Sequence, residues 1–261
     1  MRDNSLKSIV KSAFFPAGVI RRIAFGPCAG LKYRVSDITG LSAWYSGTER
    51  EHQRAFASLV APGDVVIDVG ANWGLHTLYL SRHVGQAGMV IALEPFEPAW
   101  RELEWHIRAN ACMNVKVFHC ALGDTNGQTR FEIGASAATG HLLGTDPEAY
   151  PSGKRVLDVT VRTLDSLMAE LSPDSLKLIK IDVEGAESAV LRGAAATLRR
   201  FKPFLVIDLH TPDEDRRVAE LLTRGGYRLE RLSKGPPIRQ IDRTWPEPFG
   251  VWGTILARPL N

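Results

Sequence analysis

The stretch Val65-Val-Ile-Asp-Val-Gly-Ala-Asn-Trp-Gly74 constrains this chain more than any other. Four of its first five residues are apolar, as in a strand buried on both faces. It runs directly into a glycine turn, Asp68 to Gly74, and then into Leu75 to Val84, which reads as a helix. A strand, a glycine turn and a helix start bring backbone close to a ligand.

The same alternation continues downstream. Met89 to Glu94 reads as a second buried strand, broken by Pro95, and Pro98 to Asn110 as a helix with Trp100, Leu103 and Ile107 on one face. Val115 to Leu122 reads as a third strand, Leu176 to Ile181 as a fourth, and Phe204 to Ile207 as a fifth. Helices are expected over Leu164 to Leu171, Ala186 to Arg200 and Asp213 to Arg224, with closing strands at Tyr227 to Leu232 and Trp252 to Ala257. Such a pattern predicts an α/β fold with a parallel sheet covered on both faces.

Phe131 to Ile133 and Val156 to Val161 read as strands flanking a polar insertion, Gly134 to Gly153, long enough to be functional or mobile. Before the core come a short strand at Leu31 to Val35 and a helix at Glu49 to Val60. The expected organisation is an N-terminal arm and lid over residues 1–48, then one domain over 49–261 carrying the insertion at 134–153.

The totals exclude several classes. With 261 residues, 44% hydrophobic and 23% charged, the chain suits one globular domain with an added arm. A net charge of +3 does not argue for nucleic acid. Cys28, Cys112 and Cys120 form no CxxC pair, so neither a zinc site nor a disulfide framework is indicated, and a reducing cytoplasm is the simplest compartment. No apolar run approaches the roughly 20 residues that span a bilayer. The arm interleaves Lys7, Lys11, Arg21 and Arg22 with Ile9, Val10, Phe14, Phe15 and Ile20. It reads first as a helix packed on the domain or on a second subunit, which allows a homo-oligomer, and otherwise as an amphipathic contact with a membrane surface.

In parallel sheets ligands bind beyond the carboxyl ends of the strands. The polar residues collect there: Asp68 to Gly74, Glu94, Leu122 to Asp124, Asp182 to Glu187, and Asp208 to His210. The turn is GxxxG, not the GxGxxG of a dinucleotide site, and no GK[ST] follows. Its strand carries a carboxylate, Asp68, which repels a pyrophosphate and suits a ligand with positive charge, such as the amino or sulfonium group of S-adenosylmethionine. Glu94, about 20 residues on, is placed to accept ribose hydroxyls.

Asp68-Val-Gly70-Ala71-Asn72-Trp-Gly74, Glu94-Pro95 and Ile179-Lys-Ile-Asp182-Val-Glu184-Gly185-Ala-Glu187 resemble the FkbM family of class I S-adenosylmethionine-dependent methyltransferases. The likeness covers about Gly26 to Ala257, and the K-I-D-V-E-G-A-E stretch is its distinguishing part. The resemblance implies a Rossmann-like seven-stranded sheet with the last strand antiparallel, and methyl transfer mostly to hydroxyl groups. Where the family commonly ends its fifth strand with Glu and a nearby His, this chain has Asp208 and His210.

On that footing Asp68, Gly70, Ala71, Asn72, Gly74, Glu94, Pro95 and Asp182 are the candidate donor-binding residues. His76 and Thr77, just inside the helix, could touch the donor carboxylate. Leu122, Gly123 and Asp124 end the third strand where an adenine is usually flanked, with Asp124 as acceptor for its amino group. Asp182, Glu184 and His210 are the candidate catalytic residues. Asp182 or His210 could take the hydroxyl proton, or Asp182, Asp208 and His210 could hold a divalent metal such as Mg²⁺. Glu184 could cap the next helix or bind acceptor hydroxyls. Glu187 is favoured by the helix dipole alone. Glu49 could cover the donor or simply cap its helix, and His119 reads as a structural mid-strand residue. The basic run Arg199, Arg200 and Lys202 reads as a solvated helix end.

The leading expectation is O-methylation of a small-molecule acceptor, most plausibly a sugar or glycosylated natural product. N-methylation, methylation of a lipid-linked acceptor, and a non-catalytic nucleotide-binding scaffold are the alternatives.

Overall fold

The computed structural model describes residues 18–34, 50–133, 140–143, 156–232 and 253–260. The expectations for the arm over 1–17, for Glu49, for most of the insertion and for Trp252 lie outside these residues.

An antiparallel hairpin of β1 (Ile20–Arg22) and β2 (Lys32–Arg34) comes first, followed by α1 (Arg50–Leu59). Then follow β3 (Val65–Val69), α2 (Leu75–Val84), β4 (Met89–Leu93), α3 (Glu97–Ala109) and β5 (Val115–Phe118). Next come β6 (Ala121–Leu122), β7 (Gly127–Ile133), β8 (Gly140–Leu143), β9 (Val156–Arg162) and α4 (Leu164–Leu171). The chain continues through β10 (Leu178–Ile181), α5 (Glu187–Arg192), α6 (Ala195–Phe201), β11 (Phe204–Leu209), α7 (Pro212–Arg224), β12 (Tyr227–Arg231) and β13 (Gly253–Pro259).

The main sheet has seven strands in the order β12-β13-β11-β10-β3-β4-β5. Six run parallel and β13 runs against its neighbours β11 and β12. This is the α/β, Rossmann-like sheet expected, with the closing strand antiparallel. Successive side chains along a strand point to opposite faces, and both faces are buried. Ile67, Ile91, Ile179 and Ile207 pack with Leu164, Val190 and Val218 on one side. Val66, Val90, Leu178 and Val206 pack with Phe56, Leu78 and Leu80 on the other.

Two expected elements are broken, by one tertiary contact. The strand over Val115 to Leu122 leaves the main sheet after Phe118. Ala121 and Leu122 instead pair with Val161 and Arg162 in a second sheet of order β6-β9-β7-β8. The helix over Ala186 to Arg200 is split at Gly193 and Ala194. A side chain at Gly193 would lie 1.9 Å from the carbonyl oxygen of Gly123, and the Gly193 carbonyl accepts the Asp165 amide at 2.9 Å. The backbone after β6 therefore crosses where a continuous helix would run. The insertion also differs from a plain loop, because its residues 140–143 form β8 against β7.

The chain moves outward from β3 through β4 to β5, then returns to β10 on the other side of β3. The switch point between β3 and β10 opens a crevice at their carboxyl ends, where open α/β sheets bind ligands.

Candidate methyl-transfer site

Gly70 has φ 71°, and a side chain there would lie 1.9 Å from the Asp182 carbonyl oxygen. Gly74 has φ 94° and abuts Leu103. Only glycine adopts these conformations at such close range. Asn72 also lies in the left-handed region, at φ 52°. The turn is thereby pressed against the end of β10 and the side of α3.

Its amides are already used. Gly70 and Ala71 both donate to the Leu93 carbonyl, at 3.0 and 2.9 Å, and Asn72 donates to Glu94 Oε2 at 2.8 Å. A phosphate cradle needs such amides turned to a ligand. This turn spends them on holding β4 and Glu94, so the pyrophosphate reading is removed by geometry as well as by the missing motif. Glu94 accepts the Phe96 amide through Oε1 at 2.8 Å, which fixes both carboxylate oxygens at the turn. Burial pushes its pKa up to about 7 against those two hydrogen bonds and the Lys180 charge.

Beneath the turn lies a buried cation that sequence reading did not single out. Lys180, in mid-β10, is 2% exposed and pairs in register with Asp68. Its Nζ donates to the Gly70 carbonyl at 3.0 Å and lies 3.3 Å from Asp68 Oδ1 and 3.5 Å from Asp182 Oδ2. Asp68 is fully buried, and its Oδ2 accepts the Thr77 hydroxyl at 2.6 Å. This corrects two expectations. Asp68 is an internal anchor of the turn rather than an open carboxylate, and the Thr77 hydroxyl is spent on Asp68. His76 is also inside, between the rings of His52 and Phe56 at 5.1 and 5.4 Å.

The open rim is built by the loop after β10 and the end of β11. Glu184 and Gly185 take φ 55° and 105°, which turns the chain sharply and brings the Glu184 carboxylate back over His210. Asp182 Oδ1 and Glu184 Oε2 lie 3.4 and 3.6 Å from His210 Nε2. The side chains of Asp182 and Glu184 are 31% and 35% exposed, so both face the crevice. Fully buried Glu187 accepts His210 Nδ1–H at 2.7 Å and the Gly185 amide at 3.0 Å. Its role is to orient His210, beyond the dipole preference read from sequence. Burial would lower the His210 pKa, but the Glu187 hydrogen bond and the charges of Asp182, Glu187 and Glu184 raise it to about 9. The neighbouring acids thus hold His210 toward its imidazolium form. Burial, with the neighbouring acids, raises Glu184 despite the His210 charge.

The metal trio is also revised. Asp208 turns to His52 Nε2, at 2.9 and 3.0 Å, and to the Thr254 hydroxyl. Burial opposes its charge, but the hydrogen bond and charge of His52, with Lys180 and Thr254, hold it below the usual carboxylate range. Asp182, Glu184 and His210 instead offer one ligand atom each, all within 4.8 Å of one another.

At the outer end of the sheet, Leu122 is buried in the core and Gly123 donates to the Arg162 carbonyl at 3.0 Å. The Asp124 carboxylate is engaged by Arg192 at 2.9 and 3.1 Å. Pro95 and His119 meet nearer the turn. His119 lies past the end of β5, exposed rather than mid-strand, stacked on Trp100 at 4.6 Å and bonded to the Pro95 carbonyl at 3.1 Å.

The family model for the methyltransferase FkbM domain matches residues 68–229. AMB antimetabolite synthetase AmbE of Pseudomonas aeruginosa is 28% identical over 215 residues, spanning 66% of this chain and 10% of that protein. The 31-O-demethyl-FK506 methyltransferase FkbM of Streptomyces tacrolimicus is 29% identical over 162 residues, 51% of this chain and 60% of that one. Among solved structures, methyltransferase FkbM of Methylobacillus flagellatus superposes with a TM-score of 0.47 and 18% identity, over 79% of this chain and 50% of that one. The chain thus spans at most 60% of the length of these three proteins. With the family match running from the glycine turn to β12, the chain belongs to the FkbM family of class I, S-adenosylmethionine-dependent methyltransferases.

Proposed function

We propose that this chain transfers the methyl group of S-adenosylmethionine to a hydroxyl of a small-molecule acceptor, most plausibly a sugar or a glycosylated natural product. The observation that carries this reading is the pair of half-open carboxylates, Asp182 and Glu184, facing one point at the rim beside the glycine turn. Acids outnumber cations around the crevice: Asp68, Asp182, Glu184, Glu187 and Asp208 surround Lys180 and His210. Such a field favours a sulfonium over a phosphate. The FkbM relative of Streptomyces tacrolimicus bears the name of an O-methyltransferase on a natural product, which supports the same acceptor class.

In this reading Glu94 takes the ribose hydroxyls and the Gly70 to Gly74 turn lies along the donor. Asp182 hydrogen-bonds the acceptor hydroxyl and aims it at the methyl carbon. Glu184, whose raised pKa brings it nearer neutrality than an ordinary carboxylate, takes the proton as the C–O bond forms and the C–S bond breaks. His210 Nε2 lies 3.4 and 3.6 Å from this pair as its ion-pair partner, held in place by Glu187. A methyl-transfer screen against sugars, glycosides and polyketide alcohols, followed by mass, tests this. A product that carries CH₃ in place of a hydroxyl hydrogen supports it, and transfer confined to amines overturns it.

A second reading has a specific observation behind it. Metal-ligating histidines generally donate their other ring N–H to a carboxylate, as His210 does to Glu187. Asp182, Glu184 and His210 would hold a divalent cation, which lowers the pKa of a hydroxyl bound to it. Activity lost with EDTA and restored by Mg²⁺ supports this version.

A further inference from the structure

A second cavity, of about 440 Å³, opens on the side of the molecule between α5, α6, α7 and the start of β12. Its size is that of a small-molecule site. Leu198, Leu221, Leu222 and the ring of Tyr227 form its apolar walls. Arg192, Arg199 and Lys202 stand at its rim, and none of the described residues that line it is acidic. Arg192 is tied to Asp124, whereas Arg199 and Lys202 make no ion pair with any described residue.

Three features separate this cavity from an ordinary seam between helices. The first is the segregation of charge, with three cations round an apolar interior. Basic residues at the end of α6 complement its dipole, yet that does not require Arg199 and Lys202 to line a cavity. The second is Tyr227, which is 4% exposed with its hydroxyl buried and unpartnered among the described residues. A buried hydroxyl without a hydrogen bond costs about 1–3 kcal/mol, so it is the apolar packing of the ring that keeps Tyr227 in this wall. The third is that these walls are formed by regular elements, so the shape is held by packing. Burial pushes the Tyr227 phenol up to about 12, which keeps it a donor.

We propose that this cavity binds a single apolar chain ending in an anionic head group, such as a medium-chain carboxylate. The chain lies against Leu198, Leu221, Leu222 and the ring of Tyr227, and the head group meets Arg199 and Lys202. Cations paired with an apolar interior select against a neutral or cationic amphiphile of the same length. The site is separate from the methyl-transfer crevice and does not depend on the reaction assigned there.

Decanoate, below its micelle concentration, is titrated into the full chain by calorimetry, with decyl phosphate, decanol and decyltrimethylammonium in parallel. Saturable 1:1 binding of decanoate or decyl phosphate is expected, with decanol and the ammonium at least roughly tenfold weaker. The carboxylate and phosphate arms distinguish which head group fits. Ala195→Trp fills the mouth from an exposed position and abolishes binding, while the Arg199→Glu, Lys202→Glu double variant weakens it by about tenfold. Melting curves of the variants report their folding. Absence of decanoate and decyl phosphate binding, binding equal to decanol, or binding unchanged in folded Ala195→Trp overturns the proposal.

Discussion

Lys180 and Asp68 face each other across adjacent parallel strands, 3.3 Å apart and 2% and 0% exposed. They lie directly under the turn that carries Gly70 to Gly74. Removing one member of such a pair costs about 3–5 kcal/mol, because the other charge is left buried. Lys180→Met therefore destabilises strongly. Asp68→Asn costs less, since Lys180 keeps Asp182 at 3.5 Å. In the double variant the loss is smaller than the sum of the singles. Urea midpoints of the four proteins measure the coupling, and simple additivity would show that the pair does not interact.

On the proposed reading, donor affinity follows the charge of Glu94. With its pKa raised to about 7, the carboxyl is mostly protonated at pH 6 and mostly ionised at pH 8. The ionised form is the better acceptor for ribose hydroxyls, so S-adenosylmethionine binding tightens by roughly tenfold over that interval. Glu94→Gln binds weakly at both ends and flattens the curve. Calorimetric titrations at several pH values decide it; an unchanged slope in Glu94→Gln assigns the dependence elsewhere.

The rim carboxylates separate chemistry from donor binding. Asp182→Asn and Glu184→Gln are isosteric and, on the proposed roles, remove the charge that holds the acceptor hydroxyl and the base respectively. Each should lower single-turnover rates by about 10²–10⁴ while leaving the donor Kd within a few-fold. A full rate in Glu184→Gln would return the proton to Asp182. A donor Kd that collapses in both variants would place these groups on the donor instead of the acceptor.

The sheet and its acidic rim were legible in the sequence for physical reasons. Short apolar runs ended by glycine, proline or an acid and alternating with helical patterns fit buried strands of a parallel sheet, and parallel strands put their ligands at one end. Lys180 was not legible as functional. A lysine within an apolar strand reads as a snorkelling side chain until the register sets it opposite Asp68. His52 was missed because its partner, Asp208, is 156 residues away. The break after Phe118 and the break at Gly193 were missed together, since the backbone at Gly123 and at Gly193 meets only in the folded chain. Local periodicity carries no trace of such a crossing. Glu187 was discounted as a dipole effect, since its bond to His210 depends on how α5 meets the end of β11.

His106 predicts acid sensitivity of the N-terminal hairpin. Its Nδ1–H donates to the Trp73 carbonyl at 2.9 Å, and its Nε2 accepts the Arg34 amide at 2.9 Å. Its ring stacks on Tyr33 at 4.4 Å. One imidazole thus joins the glycine turn, α3 and β2. Burial first, and then the Arg34 charge, lower its pKa from the ordinary 6.5 to about 4, against its hydrogen bonds. The folded value lies below the unfolded one, so as pH falls the unfolded chain takes up this proton first. Stability that is present above pH 6.5 is therefore lost between roughly pH 6.5 and 4, by about 3 kcal/mol from this group. In His106→Gln the titrating group is gone, and the fall over this interval shrinks by that amount although the protein is weaker at pH 7.5. Urea unfolding of both proteins at about pH 7.5, 5.5 and 4 measures the difference, and parallel curves would show that His106 is not the group being protonated.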